Sequence, residues 1–432
     1  MLRIFLTLAF IHVSFSGKSQ SVLDTLTYQE KVRGISTFWK EAAYNFVFFD
    51  KIAVDWDSAY CAYLPRAIAA KNVLEYYQVL SDFATLLKDG HTGIFTPDYF
   101  WKEIGPPPLQ LRRVGSKYFV SRIDERLVDE IAVGTEVIRI NNEMPSDFLA
   151  RRNSLNGLKG TELTFTFQDN LKQSYSKTLK RVAGKEQVNY LPPLTWVPFQ
   201  HKQLNQTMYY VRINTFADST VVARFRDILP QIQQAKYLIL DVRENGGGNS
   251  MYARKIAEHL VDRDYVVGSA WRARVHNSVK KAYGSFAAAG YKSKETIENK
   301  DYFFNTNWEF HPGDTTRISN EVTKVKIPIL VLIGPRTFSA AEDFLIYLDG
   351  SKHIQTLGQS TAGSSGQPLL LKLPKGLSAR ICSKRDTYPD GREFINIGIK
   401  PDIFVEKRAE DYLSGIDSEL QAAINHLIDQ RR

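Results

Sequence analysis

Hydrophobic periodicity changes character twice along the 432 residues of this chain. Over residues 21–97, aromatic and aliphatic side chains recur at three- and four-residue spacing, most clearly in 28–49, 59–70 and 73–87. That period predicts a set of amphipathic helices. Across residues 101–181 the pattern shortens. Residues 109–112, 118–120, 136–140 and 162–167 read as strands bounded by turn residues, with a short helix at 146–153. Beyond residue 182, strands and helices alternate, as in an α/β domain. Apolar runs at 208–213, 237–243, 326–334, 355–358 and 369–373 are the strands, and 221–233 and 249–261 the helices. Residues 272–312 are polar and aromatic with no clear period, which predicts a long loop or cover over a site. The expected fold is therefore α/β, with an N-terminal helical domain at 17–98, a β module at 99–181 and the α/β domain at 182–432.

One junction in this pattern has chemical interest. The buried strand at 326–334 stops at Gly334-Pro335, and helical spacing resumes after Ser339. Ser339 thus stands where a strand turns into a helix, beside the free N–H groups at the positive end of the helix dipole. Ser339-x-x-Glu342 also fits a capping box, so the junction alone allows a cap or a nucleophile. A second strand, 237–243, ends in Glu244-Asn245-Gly246-Gly247-Gly248. Three glycines let backbone N–H groups converge on an anion. No Gly-Lys-Ser/Thr follows, which excludes a P-loop. His91 lies in a loop between Gly90 and Gly93 and is the candidate general base.

Composition removes several function classes. The formal net charge of +9 is spread along the chain without a nucleic-acid recognition motif, so no nucleic-acid partner is expected. Residues 1–16 have a basic start, a short apolar run and small residues at the end, the pattern of a secretory signal peptide. Export to the periplasm or the extracellular space is the expected localisation. No later stretch has the length and apolarity of an integral membrane span. Cys61 and Cys382 lie far apart, with no metal-ligand spacing, and read as two buried free thiols. No metal and no cofactor are predicted.

Taken together, these elements resemble the C-terminal-processing/tricorn-core serine peptidases, family S41, along nearly the whole mature length. The matching stretches are Lys88-Asp89-Gly90-His91-Thr92, Asp241 to Gly248, Thr337-Phe338-Ser339-Ala340-Ala341-Glu342, residues 358–366 and Gly398-Ile399-Lys400-Pro401-Asp402. The resemblance implies a ClpP/crotonase-like β-β-α core and hydrolysis of a peptide or protein substrate, and residues 134–142 resemble the core hairpin of a PDZ domain, which makes the β module PDZ-like. It assigns Ser339 as nucleophile, His91 as base and the N–H groups of Gly246, Gly247 and Ala340 as the oxyanion hole. The family's Ser/Lys layout needs a Lys in the loop that here reads Ala362-Gly363-Ser364-Ser365-Gly366, so the Ser-His layout is implied. That layout has a helper serine before the histidine, where this chain has Gly90. Asp89 and Thr92 are the available replacements. Its acidic member falls on Glu393, with Asp390 and Glu342 as alternatives. Two rival functions remain open: a catalytically silent relative that binds a peptide or apolar ligand, and an acyl-CoA-handling enzyme.

Overall fold

The N-terminal helices start where short polar side chains cap them. In the computed structural model, which describes residues 20–152, 154–169, 172–184, 188–193 and 195–429, Thr27 and Glu30 form a capping box at the head of α1 (Tyr28–Asn45). The expected signal peptide lies outside the described residues. Asp55 caps α2 (Trp56–Ala69) and Asn72 caps α3 (Val73–Thr85), each accepting from a backbone N–H three residues on. The helices bury one stripe each: Ile35, Phe38 and Ala42 on α1, and Val73, Tyr76, Leu80 and Phe83 on α3. Their centre is aromatic. Trp56 stacks on Phe83 at 4.3 Å between centroids, and Phe38 meets Phe83 edge-on at 5.8 Å. The chain then leaves through residues 86–92 into a three-residue strand, β1 (Gly93–Phe95).

A β module follows. Five antiparallel strands run in the order β2 (Leu109–Val114), β3 (Lys117–Asp124), β4 (Glu136–Ile140), β5 (Glu162–Gln168) and β6 (Ser174–Lys180). Strand β5 alternates buried Leu163, Phe165 and Phe167 with polar residues on the other face. Its core, which includes Val120, Ile123, Ile140 and Phe148, is separate from the main one.

The main body is a six-stranded sheet. Its order is β7 (Phe199–Asn205), β8 (Met208–Ile213), β9 (Tyr237–Asp241), β10 (Ile329–Ile333), β11 (Ile354–Gly358) and a C-terminal strand at Ile403–Phe404. Strands β8 to β11 are parallel, and β9 and β10 read as nearly continuous apolar runs because both their faces are covered. Val211, Leu238, Leu240 and Val331 face the helical core, whereas Tyr210, Ile239, Leu330 and Leu332 pack with Ala423 and Leu427 of the helix Ser418–Asp429. Register pairs Leu240 with Val331 and Asp241 with Leu332, so β9 and β10 end side by side. Helix α4 (Ser250–Leu260) follows the glycine loop after β9.

Three expectations need correction. Residues 272–312 are not a loop. They hold a strand (Ala270–Val275), α5 (Ser278–Ala288), α6 (Lys294–Phe304) and a returning strand (Asn307–His311). The helix expected at 221–233 is two short ones, Thr220–Asp227 and Leu229–Gln234, with Pro230 in the first turn of the second. Cys382 is a buried free thiol, but Cys61 is exposed on α2.

Phe83 is fully buried against Trp56, Phe38 and Tyr63. Phe83→Ala is expected to cost about 3–5 kcal/mol of unfolding free energy in a urea titration. A loss near zero would mean that the aromatic cluster contributes little to the fold.

Candidate active site

Ser339 sits at the head of α7 (Ala340–Leu348) with φ +58° and ψ −125°. A non-glycine residue in this region costs on the order of 1–3 kcal/mol and persists only where its surroundings enforce it. The enforcing contacts are specific. Thr337 Oγ1 donates to Val242 O at 2.9 Å and accepts from Gly334 N, which ties the turn to the end of β9. Phe338 N donates to Asn245 O at 3.0 Å. Ser339 N donates to Ser364 O at 3.0 Å and, more weakly, to Glu342 Oε2 at 3.3 Å. The strained turn lifts the hydroxyl away from the helix axis, as in a strand–turn–helix nucleophile. The Glu342 arm of the expected capping box is present, while Ser339 Oγ faces a histidine.

That histidine is His91. Its Nε2 lies 3.1 Å from Ser339 Oγ, and its Nδ1 lies 2.8 Å from Ser364 Oγ. The ring stacks on Phe338, 4.6 Å between centroids. His91 reaches this point from the other end of the chain because β1 pairs antiparallel with β13 (Ser378–Cys382), Gly93 opposite Arg380; β13 in turn pairs with β12 (Pro368–Lys372). Asp89 Oδ2 accepts from His91 N and from Thr92 Oγ1, and Thr92 Oγ1 accepts from Cys382 N, which fixes the loop against β13. Burial pushes the His91 imidazole down to about 4, Asp343 nearby opposes this and Arg380 reinforces it. The ring is therefore neutral near pH 7. Accepting a proton at Nε2 requires the ring proton on Nδ1, where it donates to Ser364 Oγ.

The glycine loop backs the same turn. Gly247 has φ +92°, and a Cβ there would lie 2.7 Å from Phe338 O and 2.8 Å from Ser339 Cβ, so only glycine fits. Its N–H donates to Asn245 Oδ1 at 2.9 Å, so in this conformation it is engaged by a side chain two residues back. A Cβ on Gly246 would meet nothing within 4 Å, so that position opens to free space. Ala340 is the first residue of α7, and its N–H belongs to the set a helix leaves without an intrahelical acceptor.

The acidic members fall elsewhere. Glu393 pairs with Arg385 and, at 3.0 Å, with Lys51, and Asp390 pairs with Arg392. Neither bonds His91, whose two ring nitrogens are held by serines. Arg385 and Lys51, the latter from the N-terminal region, thus hold Glu393 away from the imidazole. Glu342, in contrast, is fully buried beneath the site. It accepts from Thr361 Oγ1 at 2.5 Å, Gly363 N at 2.7 Å, Ser364 N at 2.9 Å and Ser339 N. Thr361 Oγ1 also accepts from Ile399 N, so the stretches 358–366 and 398–402 meet here. Ser364, which the fold places against His91, was not singled out from the sequence. Its hydroxyl fills the space a side chain at position 90 would need: a Cβ on Gly90 would come within 2.9 Å of Ser364 Oγ. Neither Asp89 nor Thr92 bonds the ring.

Residues 207–405 match the family model for Peptidase family S41. They form a family S41 peptidase domain. That domain makes a serine-type peptidase of the chain, and a peptidase implies peptide or protein substrates. No curated protein matches it. Among solved structures, mature CPAF complexed with lactacystin is similar at 15% identity, covering 93% of this chain and 98% of its own, with a TM-score of 0.70. Mature CPAF gives a TM-score of 0.70 at 16% identity over 93% and 97% of the two chains. The photosystem II D1 C-terminal processing protease is 16% identical over 89% and 94%, with a TM-score of 0.48. The chain thus shares the CPAF fold. Among the described residues no helix is long and apolar enough to cross a membrane.

Burial raises the Glu342 carboxyl from its ordinary 4.5 to about 7, against the pull of its four donors. Between those values the folded chain keeps a proton that the unfolded chain has lost. Stability from this group is therefore lost as pH rises from about 4.5 to about 7, by up to roughly 3 kcal/mol. His91 acts oppositely, losing stability as pH falls from about 6.5 to about 4. The difference between wild type and Glu342→Gln in urea unfolding across pH 4–8 isolates the Glu342 contribution. It is expected to shrink toward high pH, and a difference independent of pH would contradict the assignment.

Proposed function

We propose that this S41 chain is a serine endopeptidase working through a Ser339 acyl-enzyme with His91 as general base. The 3.1 Å contact between Ser339 Oγ and His91 Nε2, on a turn strained to present the hydroxyl, carries the reading. Neutral His91 takes the Ser339 proton as Oγ attacks the peptide carbonyl, and returns it to the leaving amine. The N–H groups of Ala340 and Gly246 are the donors to the developing oxyanion, joined by Gly247 if its Asn245 contact is released. Ser364 takes the place of the helper serine, receiving the Nδ1 proton and fixing the tautomer. Glu342 holds Ser364 in position through the loop backbone and is a positioning residue. Asp343, whose charge favours the protonated ring, stabilises the imidazolium from a distance.

In the same reading residues 17–98, 99–181 and 182–432 are the helical, PDZ-like and catalytic units, the β module offering sheet edges to an extended substrate. The pattern of residues 1–16 supports export to the periplasm or beyond.

Ser339→Ala should lower kcat for peptide hydrolysis by about four to six orders of magnitude and abolish labelling by a fluorophosphonate probe. The urea midpoint should stay near wild type. An unlabelled but folded wild-type protein would instead favour a binding role for the scaffold.

Ser364→Ala should lower kcat about 10–100-fold with little change in KM, because the imidazole loses its orienting acceptor. Gly90→Ser in that background supplies a hydroxyl to the same space and should recover part of the loss. Equal activity of wild type and Ser364→Ala would remove Ser364 from the mechanism.

A further inference from the structure

A cavity lies between β2 of the β module and the ends of β9 and β10. Its volume is about 540 Å³, within the range of small-molecule sites. Six cationic side chains line it: Arg112, Arg113, Arg212, Arg243, Arg336 and Lys407. The carboxylates that answer them are few. Arg243 takes Asp417 at 2.6 Å and Glu419 at 2.7 Å, together with Asp241 behind the wall. Arg112 and Arg336 share one carboxylate, Glu244, at 2.7 and 2.9 Å. Arg212 comes no closer than 3.8 Å to Asp241. Arg113 donates to the Gly115 carbonyl and lies over the Tyr118 ring. Lys407 has no ion pair within 4 Å and no hydrogen bond among the described residues. Six cations thus meet four carboxylates, an excess of about two positive charges gathered around one cavity. Burial lowers the Lys407 ammonium, and Arg112 beside it lowers it further.

We propose that this cavity is a binding site for a compact small-molecule dianion bearing phosphate or carboxylate groups. The planar guanidinium forks of Arg112, Arg113 and Arg336 suit bidentate oxyanion recognition, and Lys407 supplies a point charge with unused donors. The site does not depend on the Ser339 chemistry. It touches that chemistry structurally, because Glu244 precedes Asn245, which holds Phe338 and Gly247, and Arg336 lies three residues before Ser339. An anion in the cavity competes with Glu244 for Arg112 and Arg336.

Isothermal titration of the full chain with inorganic pyrophosphate, and separately with succinate, tests the site. Saturable binding of at least one is expected, and pyrophosphate or succinate alone would identify the phosphate or the carboxylate source. Arg113→Met with Lys407→Met removes cations that no carboxylate holds and should weaken binding by about tenfold or more. Lys280→Ala with Lys281→Ala, which removes the same charge from α5, should leave it unchanged. Absence of saturable binding by either probe, binding that survives in the cavity variant, or equal loss in the α5 control would each overturn the proposal. Urea midpoints of both double variants, near wild type, show that lost binding is not lost folding.

Discussion

The carboxylate of Glu342 accepts hydrogen bonds from Thr361, Gly363, Ser364 and Ser339, and has no access to water. A buried carboxylate is costly unless several donors meet it, and here they come from two different loops. The consequence is mutual: the donors are held where the carboxylate is, and the carboxylate is held by the first turn of α7. The loop at 361–364 therefore cannot drift from the nucleophile turn without stranding a charge or a proton in the interior. His91, which is bonded to a serine from each of these two elements, inherits its position from the same constraint.

The sheet supplies the frame on which this constraint acts. Because β9 and β10 are parallel neighbours in register, the glycine loop and the nucleophile turn leave the sheet at the same edge. Gly247 then fits against the backbone of Phe338 with no room for a side chain. Thr337 anchors one strand end to the other through Val242. The strain in Ser339 is thus opposed by contacts from the neighbouring strand end and from the 361–364 loop.

Ser339, the glycine loop and the strand and helix around each were legible because they depend on local pattern: an apolar run, a break, a cap and a resumed period. His91 was legible through its glycine-flanked motif. Ser364 was not, since nothing within its own loop shows that its hydroxyl will occupy the space left by Gly90, hundreds of residues away. Glu393 misled for the converse reason: sequence proximity to the later motif did not reveal that Arg385 and Lys51 would take it. The segment 272–312 hid its helices because they bury almost nothing. Gly284 and Thr296 are the buried residues of α5 and α6, so selection for a core left no apolar stripe to detect. The break at Pro230 lay inside an apolar period that continued on both sides, which masked it.

His91 and Ser339 are 248 positions apart, and His91 and Ser364 are 273 apart. A ribosome releases the histidine loop long before the strand it docks on, β13, exists. On the growing chain the histidine has no serine to meet, and once the serine emerges it has no imidazole beside it until β1 has found β13 across a large loop closure. In the proposed mechanism, hydrolytic competence is thereby tied to completion of the fold, a latency that follows from chain order alone.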